Sequence, residues 1–141
     1  MDIFQNTAPC GIDCFNCDVH ENNITEKVKE ALSAQYKIDK DKIACKGCRA
    51  MNGCRLHWNK CDTLDCVKAK GVDFCHECAD FPCSMLMPVA EGAAHYPHNT
   101  KLYHLCRMKK IGLERWAEEA AISRKKYFKG KFIPGTGAVL D

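Results

Sequence analysis

Eleven cysteines crowd the front of the chain: Cys10, Cys14, Cys17, Cys45, Cys48, Cys54, Cys61, Cys66, Cys75, Cys78 and Cys83. Thiols in such numbers form disulfides, ligate metals or exchange electrons. Three C-x2-C pairs stand out: "CFNC" at Cys14/Cys17, "CKGC" at Cys45/Cys48 and "CHEC" at Cys75/Cys78. A pair at this spacing puts two thiolates on one tight turn, where both can reach the same ion. The opening "MDIFQNTAPC" has no basic start and no apolar run, so no signal peptide is expected. The expectation is a cytoplasmic protein, in which thiols stay reduced. Metal ligation is then the expected chemistry, and all eleven clustered thiols are candidate ligands.

The spacings decide between metals. Thiolate sets suit zinc and iron–sulfur clusters alike. The run C-x2-C-x2-C-x3-C-P of bacterial ferredoxins is absent, because Pro82 precedes Cys83. The plant-type C-x4-C-x2-C is absent too. Asp18, Arg49 and Ala79 follow the three pairs, where covalent haem would need histidine. Cys10, Cys14 and Cys17 form C-x3-C-x2-C, the spacing of radical-generating iron–sulfur enzymes. That chemistry sits on a partial barrel of about 200 residues, judged against a full barrel of about 250, and the chain has 141 residues. Zinc, two or three ions per chain, is the expected metal, with an iron–sulfur cluster as the alternative.

No catalytic residue is expected. A catalytic zinc keeps one position open for water and wants a proton shuttle beside it. Glu77, inside "CHEC", is the one acid within a pair, and its plainer reading is a solvated side chain. His57 and His76 lie among the cysteines and could complete a site. Cys106 stands apart, between Leu105 and Arg107 on an apolar stripe, and reads as a small buried side chain. For the grouping, Cys10, Cys14, Cys17 and Cys83 are expected to share one ion. Cys45, Cys48, Cys75 and Cys78 would share another, with Cys61 and Cys66 as alternatives to either late pair.

The elements that must hold these thiols are sparse. Residues 41–83 carry eight of the cysteines but only nine large apolar side chains. Ordering a backbone costs about 1–2 kcal/mol per residue, and a structural zinc contributes on the order of 10 kcal/mol. The segment therefore needs its metal. The spacing predicts a helix over 23–37, with Asn23 and Glu26 as a capping box and Ile24, Val28, Leu32 and Tyr36 facing the core. A short helix is expected over 62–70, ended by Gly71, and another from Pro82 to about Ala90. After a linker, 99–111 and 112–128 read as two helices with Asn99 as cap and Gly112 as the joint. The fold expected is mainly α: a small metal-stapled protein with cysteine-knuckle loops and little β structure. Residues 1–91 form the cysteine-rich region, 99–128 a helical segment packed on it, and 129–141 an extended tail.

Charge is uneven. Residues 1–99 hold 11 Lys and Arg against 14 Asp and Glu, and residues 100–141 hold 10 against 4. Lys109, Lys110, Arg115, Arg124, Lys125, Lys126, Lys129 and Lys131 make the end basic. The plainer reading is a solvated helical face; the functional one is docking on an acidic protein partner. Nucleic acid is an unlikely partner, because the thiolate-rich front is acidic. No stretch approaches the 18 apolar residues of a membrane span.

The motifs "PCGIDCFNC", "CKGC", "CDTLDCVKAKGVDFCHECADFPC" and "MKKIGLERW" resemble, in that order, the cysteine-rich bacterial and archaeal family known only as domain of unknown function 3795. The resemblance runs from about Pro9 to Trp116. It implies metal binding and no particular reaction. Three classes stay open: a binding module, an iron–sulfur or thiol redox protein, and a metal-handling protein with exchangeable ligands.

Overall fold

A computed structural model describes residues 1–54 and 60–141, and the fold is mainly α. Helix α1 spans Glu26–Tyr36, α2 Cys48–Met51, α3 Asp62–Lys70, α4 Lys101–Ile111 and α5 Leu113–Lys129. Among the described residues the β content is two isolated bridges, His20 with Cys45 and Lys131 with Val139.

Local chemistry accounts for most helix ends. The Thr25 hydroxyl, not Asn23, caps α1 by accepting the Val28 N–H at 3.3 Å. Asn23 is drawn away because its amide donates to the Phe15 and Cys17 carbonyls. The stripe Ile24, Val28, Leu32 and Tyr36 is half-buried, and α1 holds no fully buried residue. It packs on the turn Lys40–Lys42, where Lys40 pairs with Glu26 at 2.8 Å and Glu30 at 3.2 Å. The core-facing reading of this helix is therefore corrected to a peripheral one. Helix α3 ends as expected at Gly71, whose φ of +65° suits the left-handed cap. The helix expected from Pro82 is reduced to one 3-10 turn, Ser84–Leu86. Pro88 follows, and the residue before a proline is pushed out of helical backbone; Met87 is extended.

Helices α4 and α5 are joined at Gly112 and pack against each other as a hairpin. Arg107 reaches across it to Glu119 with contacts of 2.7, 2.9 and 3.1 Å. Asn99 does not cap α4. Its side chain instead grips both polar groups of the Val89 backbone, at 3.0 and 2.9 Å. The core gathers Leu64 and Val67 of α3, then Phe74 and Leu86, with Leu105 and Met108 of α4 and Trp116 and Ala120 of α5. Each large aliphatic or phenyl side chain among these contributes about 1.5–3 kcal/mol on burial. The hairpin thus supplies the apolar mass that residues 41–83 lack.

Candidate metal centre

The later cysteines converge first. Cys66 projects from α3, one residue before the buried Val67. Cys75 opens the 3-10 turn Cys75–Glu77, and Cys78 closes it by donating its N–H to the Cys75 carbonyl at 3.2 Å. Cys83 follows the cis peptide Phe81–Pro82. These four thiols line one cavity of about 30 Å³, with Val67, Val72 and Leu86 as apolar wall and Lys70 and Asp80 at the rim.

The environment of each thiol differs. Cys75 is buried, and loss of solvent pushes its pKa up to about 12. Cys78 is held below the usual thiol range. The Asp80 N–H donates to its Sγ at 3.4 Å, and the Lys70 ammonium does so at 3.1 Å. Asp80 in turn holds Lys70 at 2.7 Å. Such outer partners orient a ligand and favour its thiolate form.

A second gathering centres on Cys14. The turn Cys14–Asn16 repeats the form of Cys75–Glu77: Cys17 donates to the Cys14 carbonyl at 3.0 Å. The chain then continues alike, with His20 N–H on the Cys17 carbonyl at 3.0 Å and Phe81 N–H on the Cys78 carbonyl at 3.1 Å. The third pair is brought alongside by the parallel bridge of His20 with Cys45. Cys45 donates to Val19 at 2.9 Å and accepts from Glu21 at 2.8 Å. Gly47 N–H donates to Cys45 Sγ at 3.4 Å, and Cys48 begins α2.

Cys14 and Cys48 are close neighbours. The Cys48 thiol and its backbone N–H both favour the Cys14 thiolate, so Cys14 is lowered and Cys48 raised. Burial raises Cys17 and Cys45, and the charge of Cys14 raises both further. Burial pushes Cys10 up to about 11. Its neighbours Cys14 and Cys61 oppose its ionisation further, while Ile12 N–H eases it.

The thiols that lie near one another differ from the expected grouping, and Cys10 neighbours Cys75 as well as Cys14. Cys83 joins Cys66, Cys75 and Cys78, not Cys10, Cys14 and Cys17. Cys45 and Cys48 lie beside Cys14 and Cys17, not beside Cys75 and Cys78. Sequence order pairs neighbours, whereas the bridge at His20 folds the second pair back onto the first. Cys61 faces the Cys14 gathering, and Cys54 is half-buried. Cys106 is exposed, against expectation. The buried face of α4 runs through His104, Leu105 and Met108, and position 106 turns away from it.

Histidines take structural roles. His20 lies between the Asn6 side-chain oxygen at 2.7 Å and the Asn22 N–H at 3.3 Å. His76 stacks on Phe74, with ring centroids 5.7 Å apart. His57 lies outside the described residues. Glu77 is exposed but not idle: its carboxylate accepts the Asp73 and Phe74 N–H groups at 2.8 and 3.2 Å. Among the described residues, no group of three or more His, Cys, Asp or Glu side chains is placed so that it could hold a metal ion as it stands.

Four residues that touch these loops carry no spacing signal in the sequence. They are Lys70 beside Cys78, Asp13 beside Cys14, and Arg124 and His104, which reach the first cysteine loop from α5 and α4.

Residues 6–88 match the family described as "Protein of unknown function (DUF3795)", and the chain belongs to that family. No curated protein and no solved structure matches the chain.

Proposed function

We propose that this member of the family is a metal-stapled binding module whose ions are structural zinc. One centre would use Cys66, Cys75, Cys78 and Cys83; the other would use Cys14, Cys17, Cys45 and Cys48. Cys10 and Cys61, which face Cys14 and Cys48, and Cys54 remain for a third ion. The observation that supports this reading best is the single cavity lined by four cysteines from α3, the Cys75–Glu77 turn and the residues after Pro82.

The donor set fits a thiophilic divalent cation. A tetrahedral thiolate site holds its ligands at about 2.3 Å, so the thiols must turn inward and shed their protons as the ion enters. The cation supplies the charge that makes this favourable. Backbone N–H groups of Ile12, Val19, Gly47 and Asp80 already face Cys10, Cys17, Cys45 and Cys78 respectively. These donors would soften the repulsion among closely held thiolates.

The module would present its basic end to an acidic protein partner. Arg124 and Lys131 leave that surface, because they pair with Asp13 and Asp141. Lys109, Lys110, Arg115, Lys125, Lys126 and Lys129 remain for it.

Native mass spectrometry with metal analysis on anaerobically purified protein tests the reading. Two or three zinc ions per chain are expected. A coloured, oxygen-sensitive preparation would select an iron–sulfur cluster instead. A folded, metal-free protein with paired cysteines would overturn metal binding altogether.

A further inference from the structure

The first cysteine loop does not stand alone. Three contacts tie it to the terminal hairpin, which begins after the family match ends at residue 88. His104 of α4 donates its Nδ1–H to the Gly11 carbonyl at 2.8 Å, and this bond is buried. Arg124 of α5 donates Nη1–H to Asp13 at 2.8 Å; the Asp13 side chain is fully buried and that of Arg124 is 17% exposed. Phe15, inside the "CFNC" turn, meets Trp116 of α5 edge to face at 5.9 Å. The contacts fall on alternate residues, Gly11, Asp13 and Phe15, with Cys14 between the last two and Cys10 directly before the first.

Asp13 is placed for this role on both sides. Its Oδ2 accepts the Asn16 side-chain amide at 2.9 Å, which fixes the turn from within. Its Oδ1 accepts Arg124, which fixes the turn to α5. A buried carboxylate without its guanidinium would be an uncompensated charge, and that is strongly unfavourable. The loop and the helix are thus held in one arrangement or both released.

We propose that Arg124 and His104 are positioning residues for metal at the Cys14/Cys17 loop, so that metal occupancy there and docking of the α4–α5 hairpin are one linked equilibrium. The proposal rests on the metal-binding reading above. Linkage is reciprocal. If docking the hairpin preorganises the loop for an ion, the ion must hold the hairpin down by the same factor. Metal at this centre would then govern how the basic end is presented.

The test uses the full chain and zinc alone. Chelator competition should show Arg124→Met binding one zinc about 10–100-fold more weakly, the range for loss of a partner outside the ligand shell. The other zinc should be retained as in wild type. Alkylation of freed thiols, read by peptide mass, should mark Cys14 and Cys17 and spare Cys75 and Cys78. Arg124→Lys, which keeps the charge, should recover part of the loss. Should Arg124→Met not fold, hydrogen exchange on wild type decides. Amides of α4 and α5 should exchange at least about ten-fold faster when the first centre is emptied. Equal weakening of both ions, or no weakening of either, would overturn the coupling. So would unchanged exchange in α4 and α5. A wild type that binds no zinc would remove the metal reading itself, which distinguishes the two failures.

Discussion

Gly11→Ala should be among the most damaging single-methyl changes in the chain. Gly11 has φ +93°, and an added Cβ would stand 2.9 Å from the Lys101 carbonyl oxygen and 3.0 Å from Leu105 Cγ. The left-handed backbone alone costs an L-residue about 1–2 kcal/mol. Pressing a methyl into filled space adds about 1–3 kcal/mol. The first obstacle is backbone and the second a fully buried leucine, so neither yields cheaply. The expected loss is about 2–5 kcal/mol, summing the two ranges. Gly71→Ala is the internal control. It has φ +65° but nothing within 4 Å of the added atom, so only the backbone cost of about 1–2 kcal/mol applies. Urea denaturation at one fixed free-zinc concentration measures both, since bound metal itself shifts stability. Equal losses in the two variants would refute the argument that the loop is pressed against α4.

Trp116→Ala should cost about 3–5 kcal/mol in the same assay, because Trp116 is 1% exposed and packs on both Phe15 and His104. Cys106→Ser should leave zinc content unchanged and stability within about 0.5 kcal/mol, as read by native mass spectrometry and urea titration, since the side chain is exposed. Cys78→Ser should release one ion and retain the other; loss of every ion would contradict two separate centres. Duplex binding should be no tighter than roughly micromolar at physiological salt; nanomolar retention in a gel shift, abolished by Lys125→Glu with Lys126→Glu, would contradict this.

The amphipathic patterns and glycine stops made α1, α3, α4 and α5 readable before any coordinates. Gly71 and Gly112 end and join helices where the pattern breaks. Caps were less legible, because Asn23 and Asn99 are drawn to distant backbone that no local pattern reveals. The C-x2-C turns were legible for the same reason the helices were: their hydrogen bonds close within four residues. Grouping was not, because it depends on contacts far apart in sequence. The bridge of His20 with Cys45 and the cavity joining Cys66 to Cys83 are of that kind. Cys106 misled because a thiol between Leu105 and Met108 looks apolar, yet the helical turn carries it to the opposite face.

The hairpin resolves the apparent poverty of the cysteine-rich region. Leu64, Val67, Phe74 and Leu86 are its buried large apolar side chains in the main cluster, which they share with residues of α4 and α5. Without Leu105, Met108, Trp116 and Ala120 their apolar surface would face water. The hairpin is held to the first cysteine loop by polar contacts through Gly11 and Asp13 as well as by the packing of Phe15 on Trp116. Breaking a buried ion pair leaves an uncompensated charge, so the Arg124–Asp13 pair fixes one relative placement. The apolar core therefore supplies attachment, and the polar contacts supply register. If these thiols hold one ion, as proposed above, the loop would depend on register more than on attachment, and the ion pair that sets its register lies beside Cys14.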